Sequence, residues 1–127
     1  MPALNFLKRF ADDVESGHKL HTIRAKRKHP IKVGDRLFLN TGMRTKKWFR
    51  RLREAQCTKI EEIIITDYFV YVNEKCLSLE EMNALARADG FRDDMRDDAW
   101  AVMVQFFSDV HGLPFRGDLI HWSPPQP

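Results

Sequence analysis

A short motif, Gly17-x-Lys19-x-x-Thr22-x-Arg24, holds the residues of this chain whose types and spacing best suit chemistry. On an extended strand, side chains of equal parity share a face, so Thr22 and Arg24 would point the same way, with Lys19 entering from the preceding turn. A lysine beside other cations has a lowered pKa and can act as a base toward a nearby hydroxyl. An arginine there can bind an anion or stabilise an oxyanion. A lysine and a threonine close together on a strand are, however, more commonly plain surface residues.

A strongly basic segment begins at the same lysine. Residues 19–53 contain thirteen basic residues and one acidic residue, Asp35, a net of +12, whereas the whole chain carries only +3, so the remainder carries −9. This density of positive charge favours a surface for phosphates, where binding releases counterions and gives a salt-dependent affinity. The alternatives are a solvated cationic loop, an acidic partner, or the acidic remainder of a second copy of the chain. The sequence leaves the oligomeric state open.

Two aromatic residues, Trp48 and Phe49, lie inside this basic segment. Aromatic side chains stack on unpaired bases, which is how proteins usually hold single strands and RNA loops. The same two residues are equally compatible with a place in the core. The segment predicts a set of substrate- or phosphate-binding residues that are cationic or aromatic: Arg24, Lys26, Arg27, Arg44, Lys46, Lys47 and Trp48.

Length and composition exclude several other classes of protein. The 127 residues predict a single domain over 1–127 with a proline-rich tail at 124–127. The longest apolar run, residues 99–104, is far shorter than the roughly 20 residues of a membrane span. Charged residues near the N-terminus argue against a signal peptide, which predicts a cytoplasmic protein. Cys57 and Cys76 are then expected to be reduced thiols, and no histidine or cysteine spacing predicts a metal site or a cofactor.

The periodicity of apolar residues predicts the elements that position the motif. It predicts a helix over residues 4–16 that ends at Gly17, a residue suited to a left-handed cap. Ser78 and Glu81 form the sequence pattern of a capping box, which predicts a helix from there to about residues 89–90. The other predictions are a strand over 20–24, a basic loop over 25–32, a strand over 36–40, a helical turn or long loop over 41–53, β structure over 57–66 and 68–72, a helix over 94–110 and a final strand over 116–122. This order predicts an α+β fold in which helices pack against a small barrel or curled sheet.

Residues 6–24 and the turn Lys32-Val33-Gly34-Asp35 resemble the ASCH domain family, which belongs to the PUA-like superfamily of small β-barrels. The shared pattern is an amphipathic helix, the motif G-x-K-x-x-T-x-R, a loop and a K-x-G-D turn into the next strand. Asp89-Gly90-Phe91 is similar to an acidic-Gly-Phe element of the family, and the final strand up to Trp122 also fits. The resemblance spans most of the chain and implies a PUA-like barrel with flanking helices and a cleft lined by the Lys-Thr-Arg motif.

The resemblance also implies a function. Members of the family are taken to bind RNA or nucleotides, and one small bacterial branch removes the acetyl group from N(4)-acetylcytidine with a Lys, a Thr and a Glu. Lys19 and Thr22 match that set, and Asp89 stands where the Glu would fall. In this reaction Lys19 would deprotonate Thr22, Thr22 would attack the acyl carbonyl, Arg24 would orient the substrate or stabilise charge, and Asp89 would shuttle or position a proton.

Two points of this interpretation stay open. The acid could instead be supplied by one of three glutamates further along the chain: Glu74, Glu80 or Glu81. Other members of the family are described as ribonucleases, so the alternative function is a ribonuclease or a non-catalytic RNA-binding module that uses residues 19–53.

Overall fold

The computed structural model describes residues 2–126, which form three helices and seven strands. Met1 and Pro127, the two ends of the predicted domain and its tail, lie outside the described residues. In chain order the elements are β1 (Ala3–Phe6), α1 (Lys8–Ser16), β2 (His21–Ala25), β3 (Arg36–Thr41), β4 (Arg50–Ile65), β5 (Val70–Val72), β6 (Lys75–Cys76), α2 (Leu79–Ala88), α3 (Ala99–His111) and β7 (Phe115–Trp122).

Strand β4 organises the sheet because it pairs along both of its halves. Its first half runs antiparallel to β3, and β1 adds to β3 in parallel. Its second half runs antiparallel to β7 and β5, after which β2 adds to β7 and β6 adds to β5. The register of the β4–β7 pair shifts between Cys57 and Lys59. An irregularity of this kind bends a strand and increases its twist, which suits the point where β4 changes partner.

The mixed sheet and the helices confirm the predicted α+β class. Within residues 2–126, β1 and β2 lie at separate ends of the strand order and are not paired with each other. The sheet is therefore open between these two strands, and the closed barrel implied by the family resemblance stays a prediction.

The N-terminal helix is shorter than the sequence periodicity predicts. Ala3–Phe6 forms strand β1, in register with β3, and the alternation of buried Leu4 and Phe6 with exposed Asn5 is the period-two pattern of a strand. Leu7 precedes the helix and its side chain is 52% exposed, so it takes no part in the apolar stripe. The rest of the prediction is confirmed, because α1 buries Phe10, Ala11 and Val14 and ends at Gly17 in the left-handed conformation.

Two further boundaries differ from the predictions. The predicted loop over residues 41–53 is confirmed only for 42–49, because β3 extends to Thr41 and β4 begins at Arg50. Helix α3 begins at Ala99 instead of residue 94, because the Asp94 carboxylate accepts the N–H groups of Arg96 and Asp97 in a turn before the helix. The predicted capping box of α2 is confirmed in full.

Apolar side chains from both the sheet and the helices share one core. Phe91 follows α2 and meets Phe10 of α1 in an edge-to-face contact, which holds the end of α2 against α1. Cys57 is buried in this core and Cys76 is exposed, and both are free thiols. Within residues 2–126, no helix has the length and apolar character needed to cross a membrane.

Candidate functional site

A cleft of about 310 Å³ lies where the sheet is open, between the edges of β1 and β2 and the face of α3. Its volume is at the lower end of the range for small-molecule sites. The cleft brings together Lys19, Thr22, Arg24 and Asp89, which come from the motif and from the end of α2. Phenylalanine rings from β1 and all three helical regions form much of the remaining wall: Phe6, Phe10, Phe91, Phe106 and Phe107.

Lys19 enters this cleft from the turn that follows α1. The left-handed cap at Gly17 reverses the chain, and the Lys19 N–H donates to the Asp13 carbonyl at 2.9 Å. The side chain then runs inward, so that the residue is only 2% exposed. Its Nζ donates to both the carboxylate Oδ1 and the backbone carbonyl of Asp89, each at 2.6 Å. Nζ also lies 5.4 Å from the centre of the Phe10 ring.

Burial lowers the pKa of Lys19, because the charged ammonium loses its hydration. The charge of Asp89 and its hydrogen bond act in the opposite direction, and the nearby positive charge of Arg24 lowers the pKa further. The net direction is downward. A lysine whose pKa is lowered in this way releases a proton more readily than a surface lysine, which is the property a general base requires.

Asp89 is held at the point where α2 ends and the chain turns back. Its N–H donates to the Leu85 carbonyl, and the following Gly90 takes a φ of +102° that favours glycine. A side chain on Gly90 would also collide with the Phe10 ring. Asp89 is 4% exposed, and its Oδ1 accepts both from Lys19 Nζ and from His21, whose Nδ1 lies 3.0 Å away. Because a carboxylate only accepts, this contact places the imidazole proton on Nδ1.

Thr22 and Arg24 share a face of β2, as the parity of the motif predicts. Arg24 Nε donates to Thr22 Oγ1 at 3.1 Å, and Arg24 Nη2 donates to the Asn5 carbonyl at 2.7 Å, so the side chain spans from β2 to β1. The guanidinium carbon lies 4.8 Å from the centre of the Phe6 ring. Burial lowers the pKa of Arg24, yet an arginine stays charged in any ordinary condition. The Thr22 oxygen therefore faces a fixed positive charge and keeps its own proton free to donate.

His21 is the functional residue that sequence reasoning missed. Its position inside the motif, two residues after Lys19, is the signal by which the sequence could have indicated it. Its ring also meets that of His121 on the adjacent strand at 5.5 Å, and His121 Nε2 lies 2.8 Å from Glu61 Oε1. Burial lowers the pKa of His121, against the raising effect of Glu61. A chain of titratable side chains in contact thus runs from Asp89 through His21 and His121 to Glu61.

The acidic alternatives to Asp89 lie elsewhere on the surface. Glu74, Glu80 and Glu81 are exposed and none of them lines the cleft, while Glu81 is engaged in the capping box and with Lys75 at 3.1 Å. Among residues 2–126, no group of three histidine, cysteine, aspartate or glutamate side chains could hold a metal ion. The polar side chains that line the cleft are a hydroxyl, an amine, a carboxylate, a guanidinium, an amide and an imidazole, from Thr22, Lys19, Asp89, Arg24, Asn5 and His111.

The structure does not bring the other predicted binding residues into the cleft. Lys26 is exposed and its Nζ lies 2.5 Å from Asp118 Oδ1, while Arg27 lies beside it on the basic loop. Lys47 and Trp48 line a second cavity that adjoins the first. The remaining two, Arg44 and Lys46, are exposed on the same loop as Trp48.

Comparison with protein-family models, with curated proteins and with solved structures finds no match to this chain. The geometry of the cleft and the motif that lines it are thus the grounds on which a function is proposed.

Proposed function

We propose that this chain is a cytoplasmic ASCH-type protein of PUA-like fold whose cleft binds an acylated cytosine and hydrolyses its acyl amide. One observation carries the proposal: Lys19, Thr22, Arg24 and Asp89, which are separated by up to 70 residues in sequence, line the same aromatic-walled cleft. Phenylalanine faces and edges suit a flat nucleobase, and the polar groups that line the same cleft can bind its polar edge. The resemblance to the ASCH family supplies N(4)-acetylcytidine as the substrate to test.

The hydroxyl of Thr22 is the nucleophile in this proposal. Neutral Lys19 takes the Thr22 proton as Oγ1 attacks the acetyl carbonyl, and Arg24 stabilises the negative charge that develops on the carbonyl oxygen. The C–N4 bond then breaks, and the Lys19 ammonium returns its proton to the N4 amine of cytidine. Water, activated by Lys19, hydrolyses the acetyl ester on Thr22 and releases acetate.

Asp89 positions the amine in this scheme. Its carboxylate oxygen and its backbone carbonyl both accept from Lys19 Nζ at 2.6 Å, so the amine can move little within the cleft. The carboxylate also stabilises Lys19 whenever that residue carries the proton. His21 in turn fixes the carboxylate through its Nδ1 proton.

The test is hydrolysis of N(4)-acetylcytidine by the wild type and four variants. We expect Thr22→Ala and Lys19→Met to lower kcat by about 100-fold or more, since positioned proton transfer contributes about 10²- to 10⁴-fold. Thr22→Ser retains the hydroxyl and should keep measurable activity, and Lys28→Met, which removes an exposed cation outside the cleft, should leave the rate unchanged. Equal rates in the wild type, Thr22→Ala and Lys19→Met would contradict the mechanism.

A second candidate, RNA binding with or without cleavage, is favoured by the exposure of Arg27, Arg44, Lys46 and Lys47 outside the cleft. Titration of labelled single-stranded RNA at two salt concentrations tests it. A steep loss of affinity with salt supports a phosphate-binding surface, and an absence of binding at low salt removes this candidate. Cleavage of the RNA that disappears in Lys19→Ala would identify a ribonuclease.

A further inference from the structure

A second cavity of about 770 Å³, which we call the outer groove, opens beside the cleft. One wall is the start of α1, and the opposite wall is the loop between β3 and β4 together with the first residue of β4. The loop side presents Lys47, Trp48 and Phe49, and the helix side presents Lys8. The two cavities share Asn5, Phe6 and Leu7 as common lining, so they adjoin each other.

The loop that carries Trp48 is held in one conformation by its own hydrogen bonds. The Trp48 N–H donates to Thr45 Oγ1 at 3.1 Å, and the Thr45 N–H donates to the Gly42 carbonyl at 3.0 Å. Gly42 takes a φ of +67°, and a side chain there would collide with the Trp48 carbonyl. The Met43 N–H donates to Asn5 Oδ1 at 3.0 Å, which ties the loop to β1. The position of Trp48 is therefore set by the fold.

Asn5 joins the outer groove to the cleft. Its side-chain oxygen accepts from the loop through Met43, and its backbone carbonyl accepts from Arg24 of the cleft at 2.7 Å. Because Asn5 lines both cavities, a ligand long enough to extend past it would reach the outer groove. The outer groove has more than twice the volume of the cleft.

The outer groove has the composition of a stacking surface for bases. Trp48 is 66% exposed and Phe49 is 47% exposed, although apolar side chains of this size usually gain free energy by burial. Lys47 Nζ lies 5.4 Å from the Trp48 ring, a placement that puts positive charge beside the aromatic face. The lining holds three cations, Lys8, Lys47 and Arg50, against one carboxylate, Asp12. Exposed aromatic rings among cations are the combination with which proteins bind single-stranded nucleic acid.

We infer that the outer groove binds the nucleotides next to the one held in the cleft, so that the substrate is an acylated cytosine within single-stranded RNA and not the free nucleoside. This inference rests on the proposed function for its substrate chemistry. The shared lining of the two cavities and the exposed, anchored Trp48 are the observations that carry it beyond the cleft itself.

The kinetic test compares a short single-stranded RNA that carries one central N(4)-acetylcytidine with the free nucleoside. A stacked base contributes about 1–3 kcal/mol, so Trp48→Ala should lower kcat/KM for the RNA by about 5- to 150-fold. The same variant should leave hydrolysis of the free nucleoside unchanged, and Trp48→Phe should restore most of the rate on RNA. Tyr68→Ala removes another exposed aromatic residue, which is 71% exposed and lies outside both cavities, and should have no effect.

The outcomes separate the two proposals. An equal effect of Trp48→Ala on the hydrolysis of both substrates, or no effect on either, would overturn the outer-groove inference. A preference of the wild type for the same sequence in DNA, or for the free nucleoside, would overturn it as well. If the wild type hydrolyses neither substrate, the proposed function fails. The groove is then judged by equilibrium binding of an unmodified single-stranded RNA of the same length, which Trp48→Ala should weaken and Tyr68→Ala should not. Equal affinity in both variants would overturn the groove as a binding site.

Discussion

Replacement of Asp89 by asparagine tests how much of the fold's stability depends on the buried ion pair between Asp89 and Lys19. Both residues are almost fully buried, and the carboxylate receives hydrogen bonds from Lys19 at 2.6 Å and from His21 at 3.0 Å. Asparagine preserves the volume and one acceptor but removes the charge. Lys19 would then remain as an ammonium in a buried site without a counter-ion, which is far more costly than the loss of a surface pair.

The size of the effect follows from the burial of the pair. Loss of one member of a buried pair typically costs about 3–5 kcal/mol, and the retained amide oxygen places Asp89→Asn near 3 kcal/mol. The total free energy of unfolding of a domain is only about 5–15 kcal/mol. We therefore expect a large fraction of the stability to be lost at pH values below the pKa of Lys19, where its side chain is protonated.

The loss should become smaller as the pH rises. Burial lowers the pKa of Lys19, and the variant lacks the raising effect of Asp89, so the pKa of Lys19 falls further. Between the variant and the wild-type pKa of Lys19, folded variant protein binds fewer protons than its unfolded state. The free energy of unfolding of the variant then rises with pH by up to about 1.4 kcal/mol per pH unit, while that of the wild type does not.

Urea denaturation between pH 6 and pH 9 measures this directly. The matched control is Asp118→Asn, which makes the same chemical change in the partly exposed pair with Lys26 and should cost less than about 1 kcal/mol. A cost for Asp89→Asn no larger than that of the control, or a deficit that grows as the pH rises, would refute the reasoning.

Three further perturbations test individual contacts of the site. The pKa of Lys19, followed through its side-chain NMR signals, should fall in Asp89→Asn and rise in Arg24→Gln, because the carboxylate raises it and the guanidinium lowers it. His21→Ala should lower the hydrolysis rate by about tenfold, near 1.4 kcal/mol. His21→Asn restores a donor toward Asp89 and should recover most of the lost rate. Equal rates in the two variants would contradict a positioning role for His21. Gly117→Ala should destabilise the fold by about 1–3 kcal/mol in urea denaturation, because the new methyl group would collide with the Arg24 carbonyl on the paired strand.

Local signals predicted the parts of the fold that depend on neighbouring residues. The cap at Gly17 and the capping box at Ser78 are confirmed because each is completed within a few residues of chain. The sequence predicts helix at strand β1 because the apolar stripe of α1 can be extended backward over these residues without contradiction. They form a strand because they pair with β3, about 35 positions away in the sequence. The periodicity of apolar residues contains no information about a partner strand that is distant in sequence.

In the candidate site, too, the sequence predicts what depends on neighbouring residues and not what depends on distant ones. The parity of Thr22 and Arg24 on β2 follows from the motif, and the structure places both on the cleft. The contact of Lys19 with Asp89 joins positions 70 residues apart and depends on where α2 ends, so residue spacing alone could not place it. His21 lies on the face of β2 opposite to Thr22 and Arg24, so the parity of the motif does not indicate it.

The basic residues of the segment lie in different environments in the fold, and these environments set what their charge can do. Lys19 and Arg24 are drawn into the cleft, and other cations face carboxylates that come from distant parts of the chain: Lys26 with Asp118, Arg36 with Glu54 and Arg50 with Glu15. Within the described part of the chain, the loop cations Arg44, Lys46 and Lys47 have no such ion pair.

The net charge of +12 is therefore a poor guide to RNA affinity. For a single strand, the logarithm of the binding constant falls against the logarithm of the salt concentration by about 0.7 for each phosphate neutralised. Three loop cations that each meet one phosphate would give a slope of about 2, whereas twelve independent contacts would give about 8. A slope near 2 that falls by roughly 0.7 in Lys47→Met would place the phosphate contacts on the loop beside the outer groove, and a slope near 8 would show that the ion pairs on the surface open to admit RNA.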